Sequence, residues 1–324
     1  MFWAKSQENQ QIEMAQTSKI EWTDATINPW WGCSHVHRGC DNCYAEALAN
    51  RWGKVCWDKE DGQAIPRLRV LSAFNDLESL EKKACKSGQK LTVFIGSMMD
   101  IFEKSKPLSN PTDDFKETGD LRAFLFDAIS KGCYPNLIFL FLTKRPSNIN
   151  KMIPEPWLTN HPENVWFGAS VVDGQSLNDV ARHLDKVNGK TFWSVEPLLE
   201  GIDIRKALSN YKWPDWVIVG GESGPKRRPF KLEWAEKISI DCINMEIPYF
   251  FKQIDKVIEP PTEMLIRQWP LEFGKYDDLN HGLFQVGWLV RKPGGHPIGE
   301  IDAIGPTGYL VDGEIYGFDE IESV

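Results

Sequence analysis

The sequence predicts an α/β fold in which buried parallel strands alternate with helices. Short runs of β-branched and aromatic residues recur along the chain, and such runs are typical of strands buried on both faces of a sheet. Longer segments with apolar residues at helical spacing separate them. This alternation favours either an open doubly wound sheet or a barrel, complete or partial.

Seven segments are candidate strands, and they lie at 25–28, 92–95, 137–142, 165–168, 191–195, 216–219 and 249–251. Helices are predicted over 44–52, 121–130 and 177–184, where apolar residues recur every three or four positions. Residues 107–120 carry the turn-forming residues of a surface loop.

The chain divides into three predicted parts. Residues 1–18 form a polar, flexible N-terminal tail, and residues 19–254 hold the barrel. The alternation of strands and helices stops after Asp255, and glycine and proline become frequent from Pro293 onward. We therefore expect residues 255–324 to form a β-rich C-terminal extension.

Composition bounds the class of protein. With 324 residues, 42% hydrophobic and 26% charged content and 14 tryptophans, the chain can bury a sizeable core and is not disordered. The net charge of −9 gives no general attraction to nucleic acid, so such a contact needs a local basic patch. Two clusters are candidates, Lys144-Arg145 and Lys226-Arg227-Arg228, and both also fit solvated loop charges.

The sequence also indicates a compartment. No apolar run approaches the roughly 20 residues that span a bilayer, and the polar N-terminus has no apolar signal segment. Seven cysteines, an odd number, fit a reducing environment in which clustered cysteines are more often metal ligands than disulfides. We expect a cytoplasmic protein without membrane contact.

Polar residues follow six of the candidate strands. Because the carboxyl ends of parallel strands meet at one face, these side chains should converge there and mark the active site. Each alone would be an ordinary capping or turn residue. The set consists of Ser97, Asp100, Thr143, Lys144, Arg145, Ser170, Glu196, Glu222, Ser223, Lys252 and Gln253.

A loop with the spacing C-x6-C-x2-C follows the first strand and contains Cys33, Cys40 and Cys43. Three thiolates can hold three irons of a [4Fe-4S] cluster and leave the fourth iron open for an external ligand. The spacing leaves two alternatives: a zinc site completed by His35 or His37, and two buried structural thiols. One of the remaining cysteines could also supply a fourth ligand.

Other motif classes are absent from the sequence. There is no phosphate-binding G-x-x-x-x-G-K-[ST] loop, and Gly220-Gly221-Glu222-Ser223-Gly224 lacks the glycine order of a dinucleotide fingerprint. No pair of histidine and carboxylate ligands has the spacing of a metal-assisted hydrolase.

Several blocks together resemble phage- and prophage-encoded proteins of the radical S-adenosylmethionine type, long known only as a phage protein family. The blocks span most of the chain and comprise Ile20-Glu21-Trp22-Thr23-Asp24, Asn28-Pro29, the loop from Gly32 to Glu46, Ser97-Met98-Met99-Asp100-Ile101-Phe102, Leu142-Thr143-Lys144-Arg145-Pro146, Ser194-Val195-Glu196-Pro197-Leu198-Leu199, Val219-Gly220-Gly221-Glu222-Ser223-Gly224-Pro225 and Phe250-Phe251-Lys252-Gln253.

The resemblance implies a partial (β/α) barrel of the radical S-adenosylmethionine type. It also implies a [4Fe-4S] cluster and S-adenosylmethionine, whose carbon-sulfur bond is cleaved reductively to a 5′-deoxyadenosyl radical. The commonest signature of such enzymes is C-x3-C-x2-C with an aromatic residue before the third cysteine. Here the first gap is six residues and Asn42 precedes Cys43, so Tyr44 would supply the ring.

Residue roles are implied in the same way. Gly96, Ser97 and Asp100 would contact the methionyl amino end, while Ser170 and Glu196 would contact its carboxylate or the ribose. Arg145, Lys252 and the Lys226-Arg227-Arg228 patch would bind a substrate carboxylate or phosphate, since arginine and lysine suit both anions. Glu222 would hold a substrate amine.

Some relatives lie beside phage enzymes that hypermodify thymidine in DNA. The resemblance therefore implies a nucleobase-linked or DNA substrate, with isomerisation of an amino-acid adduct of thymidine as the specific reaction. Lysis and insertion are the other radical reactions that the resemblance allows. A one-electron donor such as flavodoxin or ferredoxin would be the protein partner. The alternative function is a zinc-stabilised nucleic-acid-binding module without catalysis, which the acidic net charge disfavours.

Overall fold

A seven-stranded parallel sheet forms the centre of the protein. The structure, a computed structural model, describes residues 18, 20–58, 64–224, 226–254 and 266–275, and the backbone of five short strands between residues 290 and 316. The strands of the sheet are β1 (Ala25–Ile27), β4 (Leu91–Ile95), β5 (Leu137–Thr143), β6 (Val165–Ser170), β7 (Lys190–Val195), β8 (Trp216–Gly220) and β9 (Tyr249–Gln253). Two further strands, β2 (Trp30–Trp31) and β3 (Leu68–Arg69), form a separate antiparallel pair.

All seven predicted strands are present, and their order confirms a partial barrel. Each strand pairs in parallel with the next one along the chain, from β1 through β4 to β9. A doubly wound sheet would reverse its strand order at a switch point, and this order has no reversal. Among the described pairings, none joins β9 back to β1, so the barrel is open.

Helices cover the outer face of the sheet. The α-helices are Tyr44–Arg51, Ala73–Ser87, Thr118–Ser130, Ile149–Met152, Gly174–Leu184, Ile204–Ala207 and Leu232–Asn244. Three of them match the predicted helices. The predicted loop 107–120 ends three residues early, because Asp120 in the first helical turn accepts the backbone N–H groups of Lys116 and Glu117 and so starts the helix at Thr118.

Alternation along the strands creates two apolar layers. In β5, Phe139 and Phe141 pack toward the helices, whereas Ile138 and Leu140 point into the barrel. Successive side chains of a strand face opposite sides. In a continuous apolar run such as this one, alternate side chains are therefore buried against the helices and inside the barrel. The inner layer is mostly aromatic and comprises Trp22, Phe94, Ile138, Leu140, Trp166, Phe192, Trp216, Ile218, Phe250 and Phe273.

Residues 266–275 close one end of this inner layer. Phe273 is 1% exposed and lies 4.9 Å from Trp166, measured between ring centroids. The indole N–H of Trp216 donates to the carbonyl of Gln268 at 2.9 Å. The segment after the last sheet strand therefore packs against the inside of the barrel.

The C-terminal part contributes short strands. Val290–Arg291 pairs with Pro297–Ile298, and Asp302–Ala303, Tyr309–Val311 and Glu314–Tyr316 form a second antiparallel set. The predicted tail (1–18) lies outside the described residues except for Ser18, as do most of residues 255–324, so the domain division stays a prediction. Among the described residues, no helix has the length and apolar character needed to cross a bilayer.

Candidate active site

One pocket at the carboxyl ends of the strands is lined by twelve residues that were predicted to bind the metal, the cofactor or the substrate, whereas Gln253 and the Lys226-Arg227-Arg228 patch are not part of its lining. The empty space in it is about 1050 Å³, a value that includes the part open to solvent. The twelve assigned residues that line it are Cys33, Cys40, Cys43, Tyr44, Gly96, Ser97, Asp100, Arg145, Ser170, Glu196, Glu222 and Lys252. The structure brings these residues together; their individual roles remain predictions.

The cysteine loop is shaped by a glycine. Gly32 adopts φ +112°, and a Cβ at this position would lie 2.0 Å from the carbonyl oxygen of Cys56. Only glycine tolerates both the backbone conformation and the close approach. Its N–H donates to the carbonyl of Met98, which joins the start of the loop to the residues that follow β4.

The three thiols reach the pocket from different local structures. Cys33 follows the turn at Gly32, Cys40 ends a short 3-10 helix, and Cys43 directly precedes the helix that begins at Tyr44. Removal from water raises the pKa of Cys33 to about 12 and that of Cys43 above its usual value. Both thiols are therefore neutral near pH 7, and a metal ion that bound them would have to displace their protons.

Arg145 does not present a free guanidinium to the pocket. It donates to Asp100 at 2.7 Å and to the carbonyl and hydroxyl of Ser34 at 2.7 and 2.9 Å. It also donates to the sulfur of Cys33 at 3.6 Å. The predicted contact with a substrate anion therefore competes with a set of internal contacts.

Asp100 is likewise engaged. Its carboxylate accepts the hydroxyl of Thr143 at 2.7 Å and the backbone N–H groups of Phe102 and Lys144 at 2.9 and 3.1 Å, in addition to Arg145. It is 5% exposed. These contacts join the ends of β4 and β5, so the main role the structure gives Asp100 is to hold two strand ends together.

Gly96 and Ser97 lie where the chain leaves β4. Gly96 has φ +113°, a conformation that glycine adopts readily. The hydroxyl of Ser97 accepts a hydrogen bond from Asn28 at 2.9 Å, and its carbonyl accepts one from the phenol of Tyr44 at 3.0 Å. Tyr44 is thus held against the β4 end, on the same pocket wall as the cysteines.

A second charged pair joins the residue that follows β7 to a residue near the end of β9. The ammonium of Lys252 donates to the carboxylate of Glu196 at 2.5 Å, and the two side chains are 16% and 17% exposed. Ser170 and Ser194, both 2% exposed, line the pocket on the neighbouring strands. This wall combines a cation, an anion and two hydroxyls within reach of a bound ligand.

Glu222 is paired with one residue of the basic patch, Arg228. Arg228 forms a 2.6 Å ion pair with Glu222, and Asn42 donates to the same carboxylate at 3.0 Å. Burial acts to raise the pKa of Glu222, but these hydrogen bonds outweigh it and lower the pKa below its usual value. A substrate amine at Glu222 would therefore have to compete with Arg228, which also binds Asp41.

A buried ion network behind the cysteine loop is a feature that the sequence analysis did not find. Arg67 is fully buried and donates to both oxygens of Glu103, at 2.9 and 2.7 Å, and to Asp58 at 2.8 Å. Glu103 in turn accepts the hydroxyl of Ser34 at 2.7 Å. Nothing in the local sequence around Arg67 signals this pairing, because the partner lies 36 residues away.

The described side chains are not arranged as the ligands of a single metal ion, and this finding applies to the three cysteines of the loop as well as to His35 and His37. Within the described residues, no group of three or more His, Cys, Asp or Glu side chains is gathered closely enough to hold one metal ion. His35 contacts Glu46 at 3.0 Å, and the ring of His37 accepts the N–H of Gly39 at 3.1 Å. None of the other four cysteines lines the pocket.

Comparison with solved structures returns spore photoproduct lyase. One mutant of that enzyme matches with a TM-score of 0.41 and 13% identity over 63% of this chain and 57% of that one. A double mutant with bound AdoMet and dinucleoside spore photoproduct matches with a TM-score of 0.41 and 12% identity, over 69% and 62% of the two chains. The chain thus matches less than two thirds of those proteins, and at this similarity neither fold nor activity follows from the match.

Comparison by sequence gives a family. None of the curated proteins matches the chain. A family model described as "Protein of unknown function (DUF5131)" matches residues 17–268, which include the cysteine loop and all seven strands of the sheet. The chain therefore belongs to this family.

Proposed function

We propose that the protein is a radical S-adenosylmethionine enzyme whose [4Fe-4S] cluster is held by Cys33, Cys40 and Cys43. The observation that carries the proposal is the convergence of these three thiols, from a single loop, on the pocket at the carboxyl ends of a partial barrel. Three cysteines leave one iron of such a cluster without a protein ligand. That open position is where an external cofactor binds.

The side chains of the three cysteines are of the type that binds an iron-sulfur cluster. Thiolates are the usual protein ligands of iron-sulfur clusters, and three of the seven cysteines line the pocket. Cluster and S-adenosylmethionine would together supply reductive cleavage of the cofactor's carbon-sulfur bond, for hydrogen abstraction from substrate. The chain's own share is to bind, orient and exclude water.

The pocket walls are suited to binding and orienting a ligand and to excluding water. Tyr44 and Ser97 line the pocket with the cysteines, and the charged pair of Glu196 and Lys252 lies just after β7 and near the end of β9. Below them, Trp22 and Phe94 form an apolar floor that keeps water out of the barrel. In this proposal, Tyr44, Gly96, Ser97, Asp100, Ser170 and Glu196 bind the cofactor, and Arg145, Glu222 and Lys252 act toward the substrate.

The substrate part of the proposal rests on the resemblance to phage proteins of this type. It is a nucleobase-linked molecule, with an amino-acid adduct of thymidine in DNA as the specific candidate and isomerisation or lysis as the reaction. A flavodoxin or ferredoxin would supply the electron. Lys144, which lines the pocket, is a cation that could meet an anionic group of such a substrate.

The test compares Cys40→Ala with Cys133→Ala after anaerobic purification. Cys40 is 8% exposed and lines the pocket, whereas Cys133 is an exposed cysteine elsewhere. We expect the wild type and Cys133→Ala to contain iron and sulfide and to release 5′-deoxyadenosine with dithionite and S-adenosylmethionine. Cys40→Ala should lose the brown chromophore. Stoichiometric zinc and no 5′-deoxyadenosine in the wild type would overturn the proposal, and equal colour in both variants would overturn the ligand assignment.

A further inference from the structure

Arg145 occupies the boundary between the pocket and the cysteine loop. Its guanidinium, 12% exposed, makes one contact toward Asp100 on the strand-end side and two toward Ser34 on the loop side. A fourth contact, at 3.6 Å, reaches the sulfur of Cys33. The planar fork of an arginine can make these contacts together, whereas a lysine ammonium is a single point charge.

The anchors of Arg145 are themselves fixed. Asp100 is held by Thr143 and by backbone N–H groups at the end of β5. Ser34 is held by Glu103, whose carboxylate is bound by the fully buried Arg67. The guanidinium therefore has a defined position relative to Cys33 before any ligand binds.

We infer that Arg145 is a positioning residue that holds the Cys33 side of the loop and keeps a fixed positive charge next to the sulfur of Cys33. The inference rests on the proposed cluster and gives Arg145 a role in addition to the substrate contact proposed above. Hydrogen bonds to the sulfurs and local charge set the reduction potential of iron-sulfur clusters. Since reduction adds negative charge, a nearby cation makes the potential less negative.

Two carboxylates near the sulfur of Cys33 oppose part of the effect of Arg145 on the potential. Asp100 and Glu103 both lie near enough to act on Cys33 electrostatically. Arg145 pairs with Asp100 directly and lies 3.7 Å from Glu103. Removing the guanidinium therefore also leaves Asp100 without its ion-pair partner near Cys33, whereas Glu103 keeps its pairing with Arg67, and the loss shifts the potential further in the same direction.

The experiment uses Arg145→Ala, Arg145→Lys and the control Arg182→Ala. Arg182 lies on the surface of the helix Gly174–Leu184, is 55% exposed and pairs with Asp179. Each protein is reconstituted anaerobically, iron and sulfide per chain are counted, and the midpoint potential is measured by redox titration with electron paramagnetic resonance. Circular dichroism checks that each variant is folded.

We expect Arg182→Ala to match the wild type in cluster content and potential. Arg145→Ala should lose part of its iron, and the cluster that remains should have a more negative potential. Arg145→Lys should recover much of the potential, because the charge is kept, but only part of the iron, because the fork is lost. Wild-type content and potential in a folded Arg145→Ala would overturn the inference.

The outcomes separate this inference from the proposed function. If the wild type holds no cluster, the proposed function fails. If the wild type holds a cluster and Arg145→Ala differs only in rate, the inference fails while the proposed function stands. Should Arg145→Ala not fold, Arg145→Lys decides, since unchanged iron content, potential and resonance spectrum in that variant would contradict a positioning role.

Discussion

At the scale of single residues, the cysteine loop depends on the missing side chain of Gly32. The positive φ and the 2.0 Å approach of a hypothetical Cβ to Cys56 act together there. Gly53 has a positive φ as well, but a Cβ would meet nothing within 4 Å. A substitution at Gly53 therefore tests backbone strain alone, whereas a substitution at Gly32 tests strain together with a steric clash.

Gly32→Ala should lower the free energy of unfolding by about 3 kcal/mol or more, since strain and overpacking add. Gly53→Ala should cost about 1–2 kcal/mol, the penalty of a left-handed conformation alone. Urea denaturation followed by circular dichroism measures both. Equal costs would mean that the loop moves away from Cys56 without difficulty.

The sequence predicted which side chains line the pocket better than it predicted which side chains pair with one another there. The cysteine spacing and the polar residues after the strands located the pocket, because both are local patterns. The sequence did not show that Arg145 binds Asp100, or that Arg228 binds Glu222. Such pairings depend on which strand ends become neighbours, and local patterns carry little of that information.

At the scale of elements, a buried ion network connects the cysteine loop to the segments around it. Arg67 lies just before β3 and Glu103 lies beyond β4, and both are almost fully buried. A buried charge without its partner is costly in free energy, because neither water nor a counter-ion compensates it. The network therefore stabilises the loop as long as it is complete.

Glu103→Gln should lower the free energy of unfolding by about 3–5 kcal/mol, because the charge of Arg67 would lose its bidentate partner. The control is Glu78→Gln, whose exposed side chain lies 3.9 Å from Lys82 on a helix surface. That change should stay within about 0.5 kcal/mol. Similar values for both variants in urea denaturation would show that Asp58 alone satisfies Arg67.

At the scale of the whole molecule, the open barrel is closed at one end by a segment that follows its last strand. Phe273 packs between Trp166 and Trp216, at centroid distances of 4.9 and 5.3 Å. Leu271, in the same short helical turn, is 73% exposed. The segment thus contributes to the barrel core although the predicted barrel ends at residue 254.

Phe273→Ala should lower the free energy of unfolding by about 3–5 kcal/mol, since it removes a buried aromatic ring. Leu271→Ala should change it by no more than about 0.5 kcal/mol. Urea denaturation followed by tryptophan fluorescence is suitable, because Trp166 and Trp216 report on this layer. A small effect of Phe273→Ala would mean that the barrel core is stable without the segment.

The sequence by itself determined the seven strands and indicated a pocket at their carboxyl ends, which the three cysteines of the loop line. These features are written in local periodicity and spacing, which act over a few residues. The tertiary structure decided that the strand order does not reverse, which charges are paired, and that residues 266–275 close the barrel. These outcomes depend on contacts between residues that are far apart in the sequence. Such contacts contribute to stability only once the sheet has brought the residues together.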